Sequence, residues 1–124
     1  MTELLNIMDI LLGENGCPWD KEQTHQSLRD NMLEECNEAI EAIDNQDMSA
    51  LKEELGDVLL QVVFHAKLAQ KANVFTMDDI IETLIHKLVS RHSHIFGKDV
   101  GKVQSPEDAL KTWNANKKLE KTMG

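Results

Sequence analysis

The sequence predicts an all-α chain, and three observations carry that prediction. Apolar residues recur at three- and four-residue spacing, no alternating β-branched run occurs, and several segments open with helix-capping residues. Leu4, Leu5, Met8, Leu11 and Leu12 mark a short first helix stopped by Gly13. Residues 13–20, GENGCPWD, carry two glycines and Pro18 and read as a loop. Asn15-Gly16 is no hairpin turn, because no strand pattern flanks it. A second helix is expected from about Thr24 to Ile43. A third runs from Asp47 or Ser49, either able to cap it, to about Ala72. Thr76-Met77-Asp78-Asp79 places an acid three residues after a capping hydroxyl and opens a fourth, ending near Arg91. Residues 92–104 hold Gly97 and Gly101 and read as irregular. Ser105-Pro106-Glu107-Asp108 starts a last helix, with a cap, a proline in the first turn and acids at the positive end of the dipole. No repeat, low-complexity stretch or linker interrupts, so one domain over residues 1–124 is expected. Its core reads as helical hairpins in a four-helix-bundle-like arrangement, completed by dimerisation, since a chain this small gains much from a second copy.

Charge narrows the function. Lys and Arg total 13 against 22 Asp and Glu, a formal net charge of −9. That balance argues against nucleic acid or an anionic membrane as partner, because both need a basic surface. It leaves a nucleotide substrate open, since a metal ion can supply the missing positive charge. Aromatics are 4% with no Tyr, which disfavours a base-stacking platform for single strands. No apolar run approaches the roughly 20 residues that span a bilayer. The first residues lack the basic region and cleavage site of a signal peptide. Two cysteines, Cys17 and Cys36, make neither a disulfide framework nor a C-x-x-C site, so a cytoplasmic setting is expected.

The acids concentrate the chemistry. Glu34, Glu35 and Glu38 share one arc of the second helix, with Met32, Cys36, Ala39, Ile40 and Ile43 on the opposite, core-facing side. Taken alone this is an ordinary solvated face. The third helix differs: from Leu55 to Leu68 it is apolar nearly all round and reads as buried on most sides. Glu54, Asp57, Gln61 and His65 form one narrow polar stripe along it. Buried carboxylates without partners are costly, so the stripe calls for a metal, a base or a ligand. If the two helices pack antiparallel, the carboxylates converge and repel unless a cation lies between them. Such hard oxygen ligands suit Mg²⁺ or Mn²⁺ and not zinc.

Lys87 and Arg91, four apart on the fourth helix, border its core-facing arc and are placed to receive phosphates. Snorkelling cations at a helix C-terminus are the plainer alternative. Gln61 and His65 are the residues of the stripe that could meet a nucleoside. His92-x-His94 lacks a third ligand at suitable spacing, and a di-iron bundle would need two Glu-x-x-His motifs where only Glu22-x-x-His25 occurs.

Glu34-Glu35-x-x-Glu38, followed sixteen residues after Glu38 by Glu54-x-x-Asp57, resembles the signature of the MazG family of all-α nucleoside triphosphate pyrophosphohydrolases. Cys17-Pro18-Trp19-Asp20-Lys21-Glu22-Gln23-Thr24, Gln61-Val62-Val63-Phe64, Arg91-His92-x-His94-Ile95-Phe96-Gly97 and Trp113 extend the likeness over nearly the whole chain. The resemblance implies hydrolysis of an NTP or dNTP between the α and β phosphates, giving the monophosphate and pyrophosphate, as nucleotide-pool housecleaning. It implies Glu35, Glu38, Glu54 and Asp57 as Mg²⁺ ligands, with Glu34 supporting them or handling the attacking water. It implies that Lys87 and Arg91 hold the triphosphate, that Trp113 or Lys117 closes over the nucleotide, and that the protein is a homodimer or larger homo-oligomer. Against the family's pattern this chain carries a single copy of the domain. It also has Ser90 and Ser93 where relatives often have Arg and Pro, and Asn114 where Glu is frequent. Two other classes compete with the enzyme: a non-catalytic helical module binding a nucleotide or protein, and a plain oligomerisation domain.

Overall fold

A computed structural model describes residues 1–123, and every regular element in it is helical. The helices are α1 (Thr2–Leu11), α2 (Pro18–Glu22), α3 (Arg29–Asp44), α4 (Met48–Lys71), α5 (Met77–Arg91), α6 (Ser93–Phe96) and α7 (Pro106–Met123). They fall into two compact units, Met1–Met77 and Asp78 onward.

In the first unit α1 ends in a loop that doubles back on it. The Cys17 amide donates to the Leu11 carbonyl at 2.8 Å. A Cβ on Gly16 would lie 2.0 Å from that carbonyl oxygen, so the approach requires glycine. The stretch expected as a loop contains the start of α2, where Pro18 occupies the first turn and its missing N–H costs nothing. The next helix begins five residues later than its pattern suggests, at Arg29 and not Thr24. Thr24 and Ser27 explain the delay: each side-chain oxygen accepts from the other's amide, at 2.8 and 3.0 Å. Such local bonds compete with the helix for the same backbone groups.

α3 and α4 form the principal hairpin. α3 closes through Gln46, whose φ of 53° is left-handed, and through an Asp47 amide bonded to the Ala42 carbonyl at 3.0 Å. Asp47 then caps α4, accepting from the Ala50 amide at 3.0 Å, as the sequence suggests. α1 packs on α4 over a core of Met8, Leu28, Val63, Phe64, Ala66 and Ala69. Lys67, half-buried in this packing, is paired with the exposed Asp9 at 2.8 Å.

The polarity of the hairpin inverts one expectation. Ile40 and Ile43 do not face the core; each is 53% exposed, whereas Ala39 and Ala42 are buried. The face of α3 that meets α4 is therefore the one carrying Glu35, Ala39 and Ala42. Small residues there let the helices approach closely, and the acids lie in the seam. The third helix of the sequence pattern, α4, is correspondingly less enclosed than its composition suggests, with Leu55, Leu59 and Leu60 exposed.

In the second unit the stretch expected as irregular contains the single turn α6, packed on α7. Buried Ser93 donates its hydroxyl to Asp99 at 2.6 Å and accepts from the Asn116 amide at 2.8 Å. Ser105 caps α7, accepting from the Asp108 amide at 3.1 Å, as expected. Among the described residues no helix is long and apolar enough to cross a membrane.

Candidate metal centre

The hairpin's geometry explains why the two acid pairs meet. Glu38 lies six residues before the end of α3, and Glu54 six residues after the start of α4. Glu35 and Asp57 are each nine residues from the same ends. At equal rise per residue, antiparallel helices bring Glu38 level with Glu54 and Glu35 level with Asp57. One oxygen from each of the four carboxylates lies within 4.8 Å of all the others.

This cluster is electrostatically frustrated. Oε2 of Glu35 and Oε2 of Glu54 are buried without a hydrogen-bond partner. Burial, then the charges of Glu38 and Asp57, pushes the Glu35 carboxyl above its ordinary value. A shared hydrogen bond with Glu38, reinforced by burial and by neighbouring carboxylates, pushes Glu54 up to about 7. Proton sharing is how such a group lowers its charge when nothing positive is present. A hard divalent cation would do so better, because it accepts several carboxylate oxygens at once and satisfies both orphaned atoms. The donor set therefore fits Mg²⁺ or Mn²⁺ chemistry. Glu34, also expected here, is exposed on the neighbouring position of α3.

Beside the cluster a cavity of ≈ 300 Å³ opens between α1, α2, α3 and α4. Glu35 belongs to both. Met8, Leu28 and Phe64 form its apolar lining, Trp19 stands exposed at its edge, and Asn31 and Gln61 supply polar groups. Gln61 is 7% exposed and its Oε1 has no partner. An apolar recess with a few unspent polar atoms suits a small organic group. Gln61 belongs to the polar stripe of α4 that its spacing predicts, whereas the sequence pattern assigns no site role to Trp19 or Asn31. Trp19 lies in the CPWD segment, the signal that could have found it. His65, two turns beyond Asp57, is engaged elsewhere: its Nδ1 is 2.7 Å from that of His25, and the rings stack with centroids 4.9 Å apart.

The acids belong to the first unit; Lys87, Arg91, Trp113 and Lys117 belong to the second. Lys87 and Lys117 are exposed. The Arg91 guanidinium lies 5.0 Å from the Trp113 ring centre and donates through Nε and Nη2 to Glu120, both at 3.2 Å. His92 is bonded to the Leu88 carbonyl at 2.6 Å and meets Trp113 edge-on.

An all-helical hairpin with paired E-x-x-E and E-x-x-D carboxylates defines a class, and residues 23–96 match its family model, the MazG nucleotide pyrophosphohydrolase domain. The chain belongs to this family. It is 50% identical over 119 residues to the nucleoside triphosphate pyrophosphohydrolase/pyrophosphatase MazG of Thermotoga maritima, covering 96% of this chain and 44% of that protein. It is 53% identical over 116 residues to the uncharacterized protein YabN of Bacillus subtilis, covering 94% and 23%, respectively. The nucleoside triphosphate pyrophosphohydrolase of Escherichia coli is 41% identical over 119 residues, covering 95% and 44%. The chain thus spans less than half the length of these curated relatives. Among solved structures, a mazG-related protein from Thermotoga maritima superposes with a TM-score of 0.76 at 28% identity, over 95% of this chain and 99% of that one.

Proposed function

We propose that the chain hydrolyses nucleoside triphosphates, NTP or dNTP, to the monophosphate and pyrophosphate with Mg²⁺ as cofactor, as nucleotide-pool housecleaning. The observation that carries this reading is the set of four carboxylates gathered in a helix seam, two of their oxygens buried and unpartnered. The named relatives support the reaction class. Glu35, Glu38, Glu54 and Asp57 hold the metal. The bound ion supplies positive charge to the triphosphate and acidifies water. Water adds to one of the two phosphorus atoms that flank the α–β bridging oxygen, the bond from that phosphorus to the bridging oxygen breaks, and the monophosphate and pyrophosphate separate. Glu34, adjacent to the ligands and free of the seam, orients the water or takes its proton.

The nucleoside lodges in the cavity beside Glu35, its base against Trp19 and within reach of Gln61. Lys87 and Arg91 bind the phosphates, and Trp113 or Lys117 closes over the nucleotide. Catalysis is then positioning plus charge neutralisation, as in phosphoryl transfer generally. A homodimer or larger homo-oligomer fits the exposure of the large apolar residues Leu33, Ile40, Leu55 and Leu59 on the hairpin. The setting is cytoplasmic.

The test is a panel of NTPs and dNTPs with Mg²⁺, Mn²⁺ or EDTA, scored for monophosphate and pyrophosphate. Metal-dependent release of both is expected. Metal and nucleotide binding without turnover by a folded chain would instead establish a non-catalytic binding module. Absence of any binding would leave a plain helical oligomerisation domain.

A further inference from the structure

The Arg91 side chain is only 11% exposed, and its guanidinium is gripped by two residues of α7. The guanidinium carbon lies over the Trp113 ring, 5.0 Å from its centre. Seven residues along the same helix, Glu120 accepts from Nε and Nη2 with a single oxygen, Oε2. Its other oxygen, Oε1, accepts from the Ser90 hydroxyl. That hydroxyl, together with Arg91, holds the Glu120 carboxyl below its ordinary range, so the carboxylate is charged at neutral pH.

This arrangement uses the Nε and Nη2 edge of the guanidinium and sets the group against the Trp113 ring. The Nη1 end lies outside the contact with Glu120. An unrestrained arginine loses several rotatable bonds' worth of freedom when it grips a ligand. One already fixed by an adjacent aromatic ring and a doubly anchored carboxylate loses little, so its remaining donors bind at lower entropic cost.

We propose that Glu120 is a positioning residue for phosphate recognition, acting through Arg91: it locks the guanidinium against Trp113 with the Nη1 end presented to the ligand. Ser90 is the second anchor, because it fixes the carboxylate that fixes the arginine. The inference rests on the reading of Arg91 as a phosphate-binding cation.

The experiment is a double-mutant cycle of Glu120→Gln and Arg91→Ala. It is followed by kcat and KM for an NTP with Mg²⁺ and, in parallel, by calorimetric binding of tripolyphosphate with Mg²⁺. Glutamine keeps the shape of the side chain and its acceptor oxygen, so the fold is retained, which circular dichroism checks. Glu120→Gln is expected to raise KM and the tripolyphosphate Kd roughly threefold to tenfold, with kcat little changed. In the Arg91→Ala background it is expected to change neither. Ser90→Ala should move KM in the same direction by less. An equal effect with and without Arg91 overturns the proposal, as does an unchanged or lowered KM. A lowered KM would mean that Glu120 competes with phosphate. A wild-type chain that binds tripolyphosphate without turnover overturns the hydrolase reading and still tests Glu120. One that binds neither overturns both.

Discussion

Replacing Asp57 by Asn separates a metal site from a structural acid cluster, because the two predict opposite signs. With Mg²⁺ at a hundred times its Kd, binding to the native state alone contributes about 2.7 kcal/mol. For a chain of 124 residues, unfolding entropy of about 0.26 kcal/mol per kelvin converts 1 kcal/mol into about 4 °C. Wild-type Tm is therefore expected to rise by about 10 °C on adding Mg²⁺. Loss of one of four carboxylate ligands weakens affinity by about a hundredfold, the upper end of what outer partners alone achieve. At the same Mg²⁺ concentration the variant would gain about 0.4 kcal/mol, under 2 °C. Without metal the sign reverses. The Asp57 charge raises the pKa of both Glu35 and Glu54, so removing it relieves repulsion. The metal-free variant is expected to match or exceed the wild type in Tm at pH 8. Differential scanning fluorimetry across a Mg²⁺ series reads both effects. A variant that gains as much from Mg²⁺ as the wild type, or that is several degrees less stable without it, would refute the reasoning.

Three further outcomes are expected. Because Glu54 titrates at about 7, metal must displace a proton below that pH. Calorimetry near pH 6 should show proton release, as buffer-dependent heat, and affinity falling with pH. Native Glu54 also binds a proton that the unfolded chain lacks between its ordinary 4.5 and about 7, so metal-free stability contributed there declines as pH rises through that window. Gln61→Leu removes a buried acceptor without a partner. Metal-free Tm should rise by the equivalent of about 1 kcal/mol, while KM for the NTP rises several-fold. His65 is held below the ordinary 6.5 first by burial and then by His25, so its proton NMR titration midpoint should lie below that value and move up in His25→Ala. Here the sign is opposite to that of Glu54: the neutral histidine stabilises above 6.5, and the contribution is lost as pH falls through the depressed value.

Helix type and order were legible because the apolar spacing and the caps at Asp47 and Ser105 agree with each other. The carboxylate residues were legible because acids along an otherwise apolar helix are costly unless something binds them. Which face of α3 turns inward was not. Amphipathic patterning assigns Ile40 and Ile43 to the core, yet a seam built on Ala39 and Ala42 packs more closely and admits the acids. Such a choice depends on what α4 presents, and no pattern within α3 records it. The start of α3 departs from its pattern for a similar reason, since the mutual bonds of Thr24 and Ser27 oppose a periodic signal. The pairings of His25 with His65 and of Glu120 with Arg91 were not legible, because the partners lie far apart along the chain, forty residues in the case of His25 and His65.

The matched distances of six and nine residues from the hairpin's two ends carry an evolutionary consequence. A single residue inserted between Glu38 and Asp44 would turn one acid pair about 100° away from the other. Lengthening both helices equally at the far end of the hairpin would leave the four oxygens together. Inherited insertions should therefore be purged within either helix and tolerated as balanced extensions that carry the Gln46 turn outward. The number of residues separating the two acid motifs can drift among descendants while the site itself stays put.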